Sequence, residues 1–177
     1  MKNPEEIFEI LTKEFGESSV LSIDKETPTE QIITVAPLQI HKIGAFLRDN
    51  VELKFDSLMV LSGVDDADGT KTKDEDGTDV ISGGNLSVYY HLHSTVLKHK
   101  ITIKVSALRE DPVVESVYNV WRTSDWHERE AFDMFGIIFN NHPDLRRILM
   151  PYDWEAGYPL RKDYKNPEFY QGMKVPY

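Results

Sequence analysis

The sequence predicts an α/β fold of the α+β type: a mixed, mostly antiparallel sheet with helices packed on it, followed by an extended C-terminal arm. Three observations carry this expectation. Apolar residues recur at helical spacing in some segments and alternate with period two in others. Two alternating runs, "NLSVYYHLHS" and "HKITIKVSAL", are separated by a short link, the pattern of an antiparallel hairpin. Past Asn140, prolines and glycines interrupt every period. The expected division is a compact domain over residues 1–140, with a mobile acidic loop near 65–83, and an arm over 141–177.

Taken in order, Ile7, Ile10, Leu11 and Phe15 follow Pro4 at helical spacing, with two acids in the first turn. Val20–Asp24 and Gln31–Ala36 read as strands around a turn at Thr27–Pro28. Leu38, Ile43, Phe46 and Leu47 mark a second helix after Pro37. "DSLMVLSGVD" is nearly continuous in apolar residues and reads as a buried strand. The hairpin comes next. Val113, Val114, Val117 and Trp121 suggest a short helix, and a further helix begins at Ser124–Asp125 with one of the two as N-cap.

Charge and composition narrow the function. The chain has 177 residues, 40% of them hydrophobic, enough for a core. Its 20 basic against 30 acidic residues give a net charge of −10, which disfavours nucleic acid and anionic lipid as partners. With no cysteine, thiol nucleophiles, disulfides and cysteine-held iron–sulfur clusters are excluded. The N-terminal stretch reads as an amphipathic helix, not a signal peptide, and no apolar run approaches a membrane span, so a soluble cytoplasmic protein is expected.

Several motifs are incomplete. "DDADGTKTKDEDGTD" (Asp65–Asp79) has seven acids and two lysines. A calcium loop needs oxygen ligands at its first, third and fifth positions before the glycine, and Val64 or Thr72 falls at the first in the two possible frames. "HERE" (His127–Glu130) lacks the second histidine of a zinc-protease helix, Ala131 standing in its place. His91 and His93 share a strand face but have no third ligand at a recognisable spacing. "SGGN" (Ser82–Asn85) is too short for a dinucleotide-binding loop.

The richest stretch is "TSDWHEREAFDMFGIIFNNHPDLRRILMPYDWEAGYPLRKDY", Thr123–Tyr164. At 100° per residue, Glu128, Ala131, Phe132 and Phe135 share one helix side. Trp126, Arg129, Glu130 and Asp133 share the other. The phenylalanines are expected to face the core, with Arg129 and Asp133 as an i,i+4 pair on the opposite stripe. "NNHPD" is a turn, in which Asn tolerates positive φ and Pro143 forces His142 to be extended. Arg146, Arg147, Arg161 and Lys162 in the arm are suited to forked carboxylate pairing, either with this helix or with a partner. Arg161 and Asp163 are expected to pair on a partner or back onto Glu130. An alternative is a carboxylate-dependent hydrolase using Glu128, Glu130 or Asp133.

"EREAFDMFGIIFNNHPDLRRIL" (Glu128–Leu149) and "MPYDWEAGYPLRKDY" (Met150–Tyr164) closely resemble the signature of one family of NADH-quinone oxidoreductase, respiratory complex I: its C subunit, also called the thirty-kilodalton subunit. Asn141 where Gly is common, Ala156 inserted before Gly157, and Lys165 in place of Pro depart from it. The resemblance implies a non-catalytic structural subunit in the hydrophilic arm of a proton-translocating enzyme. It also implies no cofactor on this chain, with NADH, FMN, iron–sulfur clusters and a quinone handled by other subunits. The D subunit, the large one near the quinone site, is the foremost implied partner, followed by the B and I subunits. The implied location is the cytoplasmic face of the bacterial inner membrane, with no membrane insertion. Interface and latch roles are thereby expected for Glu128, Arg129, Glu130, Asp133, His142, Arg146, Arg147, Arg161, Lys162 and Asp163. Related scaffolds occur in membrane-bound hydrogenases, which is an alternative setting.

Overall fold

The computed structural model describes residues 2–27, 30–73 and 79–175. Helix α1 (Pro4–Phe15) starts with a reciprocal cap: the Asn3 side chain accepts from the Glu6 N–H and the Glu6 carboxylate accepts from the Asn3 N–H. Pro4 occupies the first turn, where its missing N–H costs nothing. Ile7 and Leu11, one turn apart, are fully buried, and Ile10 and Phe15 pack beside them. Helix α2 (Ile40–Asp49) buries Ile40, Ile43 and Leu47, while Leu38 stays exposed ahead of the helix.

The strands β1 (Val20–Asp24), β2 (Ile32–Val35), β3 (Ser57–Asp65), β6 (Asn85–His93) and β7 (Lys100–Leu108) form one sheet in the order β1-β2-β7-β6-β3. Between them in the chain lie β4 (Thr70–Lys73) and β5 (Asp79–Ser82). All neighbours in the large sheet are antiparallel except β2 and β7. The expected hairpin is β6–β7, in register from Asn85↔Leu108 to His93↔Lys100. Alternation puts Leu86, Val88, Tyr90 and Leu92 of β6 in the core, where they meet Ile101, Ile103 and Val105 of β7. The other strand edge differs from expectation. In β3, Met59 and Val60 are exposed, because this strand closes the sheet and carries a register shift between Leu58 and Val60.

Two segments differ from their sequence reading. The expected mobile acidic loop contains an antiparallel pair, β4 with β5, favoured by the β-branched Thr70, Thr72, Val80 and Ile81. Residues 74–78, and Pro28 of the expected first turn, lie outside the described residues. The expected helix over 113–121 is instead strand β8 (Val113–Glu115) followed by a turn. Its partner is β9 (Ile138–Asn140), parallel to it and beyond the last helix, so the pairing is non-local. Trp121 caps this turn, its indole N–H donating to the Phe55 carbonyl at 2.9 Å and its ring lying against Gly44 of α2.

Helix α3 (Ser124–Phe135) lies on β3. Neither expected cap residue caps it: Thr123 precedes the first turn and makes no capping bond, its hydroxyl donating to the Leu58 carbonyl at 3.5 Å, and Ser124 is buried inside that turn. Gly136 stops the helix at φ 75°, the left-handed region, and leaves room for the Tyr158 ring. After β9 the described chain has little regular structure, with β10 (Phe169–Tyr170) and β11 (Met173–Lys174) as a short pair.

A Cβ on Gly136 would meet the Tyr158 ring at 2.5 Å. Left-handed backbone and overpacking together predict that Gly136→Ala destabilises the protein by about 2–4 kcal/mol in urea unfolding. A loss below about 0.5 kcal/mol would show that the ring moves aside freely.

Candidate functional site

Several polar residues of α3 are inside the protein, not on its surface. Glu128 and Asp133 are fully buried and Arg129 is 7% exposed, whereas Phe132 and Phe135 are half-buried. The expected core side holds, with Glu128 and Ala131 buried and Phe135 packed against Gly63 of β3, and Trp126 and Glu130 stay exposed; the departure is that Arg129 and Asp133 of the opposite stripe are buried too. The cause lies outside the helix. The run after Leu145 covers Asp133 on the side that the helical wheel assigns to solvent, the turn after β8 meets Glu128 on the core side, and both bring hydrogen-bond donors.

Glu128 accepts from the Ser116 hydroxyl at 2.6 Å and from the Val117 N–H at 2.8 Å. These bonds use groups that a helix over 113–121 would have turned elsewhere, which is one reason the β8 segment stays extended. Burial pushes the Glu128 carboxyl up from its ordinary 4.5 to about 7, against the opposing pull of Ser116 and Val117. His142 closes the same space. Its side chain is wholly buried, with Nε2 3.4 Å from Asp125 Oδ1 and 3.9 Å from Glu128 Oε2. Its Nδ1 accepts from the Asp144 N–H at 3.1 Å, which leaves the proton of the neutral ring on Nε2, towards the carboxylates. Burial lowers the His142 pKa. Asn141, at φ 64°, turns the chain to bring this ring inward, as the "NNHPD" reading required.

Asp133 is the second centre. Its carboxylate accepts from the N–H groups of Ile148, Leu149 and Met150 at 3.0, 2.7 and 2.9 Å, and from Arg147 Nη1 at 2.8 Å. Burial alone raises this carboxyl, but these donors outweigh it and hold the pKa below the ordinary range. The expected Arg129–Asp133 pair is therefore absent. Arg129 instead stacks over the Trp126 ring at 4.7 Å, with Asp125 at 3.9 Å.

The third centre ties residues 158–163 to the sheet. Arg161 Nε donates to the Phe135 carbonyl at 2.7 Å, at the negative end of α3, and its guanidinium lies over Tyr158. Asp163 pairs with Arg109 at 2.6 Å, and Arg109 pairs in turn with buried Asp65 at 2.7 Å. The Lys162 backbone N–H donates to Asp65 at 2.9 Å, while its side chain is exposed. Neither Arg161 nor Asp163 pairs with Glu130, which points to solvent because the two are already engaged at the far end of the helix. Arg146 is exposed and pairs with its neighbour Asp144 at 3.0 Å.

Of the sequence-predicted residues, Glu128 meets His142, Asp133 meets Arg147, and Arg161 neighbours Asp163. Glu130, Arg146 and the Lys162 side chain stand apart. Sequence reasoning missed Asp65, Arg109, Ser116 and Asp125. Asp65 is the last residue of β3 and Arg109 directly follows β7, the signal that could have separated them from the acidic loop and the surface. Chemically, Glu128 and Asp133 are sealed and hold chain to chain, while Glu130 is exposed.

Fold and site together define an α+β domain whose C-terminal segment is latched onto one helix by buried ion pairs. The family model described as "Respiratory-chain NADH dehydrogenase, 30 Kd subunit" matches residues 33–170, and the chain belongs to that family. The C subunit of NADH-quinone oxidoreductase from Chloroherpeton thalassium is 43% identical over 96% of this chain, which spans 64% of that protein's length. Its counterpart of the same name from Chlorobium phaeobacteroides is 40% identical over 96% of this chain and 93% of its own length. A trypsin-resistant fragment of Nqo5 shares the fold, with a TM-score of 0.58 and 21% identity over 77% of this chain and 97% of the fragment.

Asp133→Ala leaves Arg147 and three N–H groups without their acceptor, and is expected to destabilise the protein by about 3–5 kcal/mol. Equilibrium unfolding at neutral pH measures it. Glu128 acts in the opposite direction with pH. The folded form keeps its proton up to about pH 7 and the unfolded chain releases it near 4.5, so stability falls as pH rises through that window. The loss is on the order of 3 kcal/mol, and Glu128→Gln should flatten it. Below about pH 4 the trend inverts, because Asp133 and Asp65, whose pKa values are lowered, lose their contribution as they are protonated.

Proposed function

We propose that this chain is a non-catalytic structural subunit of the hydrophilic arm of a proton-translocating NADH-quinone oxidoreductase, where it helps to assemble the quinone-reducing module. Family membership and the names of its relatives support the complex. The observation that carries the structural role is the latch: buried Asp133, Arg109 and Asp65 fix the run from Arg147 to Asp163 along the domain, and leave Leu149, Tyr152 and Leu160 exposed, Tyr152 in one cleft with Trp126. Exposed aromatic and aliphatic residues next to arginines are the composition of interface centres.

In this reading residues 141–177 form the arm that docks on partner subunits, the D subunit foremost and the B and I subunits beside it. NADH, FMN, iron–sulfur clusters and the quinone belong to other subunits; a chain without cysteine has no thiolate to hold a cluster. Within the complex the chain sits peripherally at the cytoplasmic face of the inner membrane. Consistent with this, no helix among the described residues is long and apolar enough to cross a membrane.

Affinity purification of the tagged chain from native membranes tests the reading. The D, B and I subunits and NADH-dependent quinone reduction should be recovered with it. Recovery of the chain alone, or with hydrogenase large subunits, would contradict it.

A further inference from the structure

A cleft of about 510 Å³ lies between α3 and the latched segment, lined by Trp126, Arg129, Arg146, Arg147, Ile148 and Tyr152. Three of these six residues are arginines and none is acidic, on a chain whose net charge is −10. Arg147 is engaged by Asp133, and Arg146 reaches only its exposed neighbour Asp144. Arg129 is the unusual member. Its side chain is 8% exposed, yet its nearest carboxylate oxygen is 3.9 Å away, beyond a hydrogen bond, and its Nε has no partner among the described residues. A buried guanidinium with an unused N–H is costly unless something supplies an acceptor. Around it stand two exposed aromatic rings, Trp126 at 63% and Tyr152 at 95%.

We propose that this cleft receives an acidic side chain, an Asp or Glu carboxylate, from a partner protein, and that Arg129 and Arg146 hold it while Trp126 and Tyr152 cover it. The inference rests on the reading of the chain as a docking subunit and names the chemistry of its contact. A planar carboxylate matches the fork of a guanidinium, and stacking over Trp126 keeps the Arg129 plane oriented for it. The aromatic rings exclude water from the pair, which strengthens it. A protein segment is the occupant that charge favours. An anionic membrane or a nucleic acid presents a continuous field that a chain of net charge −10 opposes, whereas one carboxylate on a partner meets only the local arginines.

The test uses the full tagged chain in its native membranes. Arg146→Glu and Trp126→Ala alter exposed side chains, so the fold is expected to survive, and an unchanged unfolding midpoint verifies this. Each should lower recovery of partner subunits about tenfold or more relative to wild type, the scale of a central interface residue. Lys13→Glu, on α1, should leave recovery unchanged. A photo-crosslinking residue at position 152 should capture a partner peptide containing Asp or Glu, and reversing that acid to Arg should restore assembly of the Arg146→Glu chain. Wild-type recovery in both cleft variants, with partners still co-purifying with wild type, would overturn this inference and leave the docking role standing. No partners with wild type would remove the docking role itself and this inference with it. Binding of the free wild-type chain to phosphatidylglycerol vesicles, lost in Arg146→Glu, would identify a lipid headgroup as the occupant and also overturn it.

Discussion

The burial of Asp133 is the constraint on which the rest of this region depends. A carboxylate removed from water costs several kcal/mol unless its lone pairs are satisfied, and Asp133 meets that requirement with three successive backbone N–H groups and one guanidinium. The dependence runs both ways. Without the run from Arg147 to Met150 the helix would bury a bare charge; without Asp133 those three N–H groups would have no acceptor in the chain's own structure. Helix α3 and the segment beyond it therefore order each other.

The other two junctions extend the same logic to the sheet. Arg109, at the end of the hairpin strand, sits between Asp65 and Asp163, so one cation joins an edge of the sheet to the far end of the latched segment. Arg161 stands beside it, and burial together with the nearby Arg109 lowers its pKa, a repulsion that Asp163 and Asp65 offset. At the opposite end of α3, Glu128 draws in Ser116 and Val117 and so joins the helix to β8. A helix with hydrophobic residues alone on its inner side could slide along β3; three fixed polar attachments define one register.

This arrangement also explains how an acidic chain can line one cleft with arginines. Half of its excess acid lies in Asp65–Asp79, with seven carboxylates against two lysines, while the latch consumes Asp133 internally and leaves Arg129 and Arg146 lining the cleft. The family is one of subunits in a multi-subunit complex. In that setting a locally basic, aromatic surface on a negative protein selects for a small acidic contact over a continuous anionic surface.

Much of the fold was legible in local pattern. The β6–β7 hairpin followed from alternation, α1 from Pro4 and the spacing of Ile7 and Leu11, the turn at Asn141 from the backbone tolerance of asparagine, and the family from the run Glu128–Tyr164. These are properties of neighbouring residues, and neighbouring residues settle them. The helix faces of α3 were not of that kind. A helical wheel assigns Asp133 and Arg129 to water because it knows only the helix; the donors that bury Asp133 come from Arg147–Met150, those that bury Glu128 from Ser116 and Val117, and Asp65 finds its cation in Arg109. The strand at Val113–Glu115 was misread for the same reason, since its partner β9 lies beyond a whole helix. Sequence alone determined the helices α1, α2 and α3, the β6–β7 hairpin and the turn at Asn141, and which family this is. Tertiary structure decided which charges are buried and paired, because desolvation and pairing depend on groups that only the folded chain brings together.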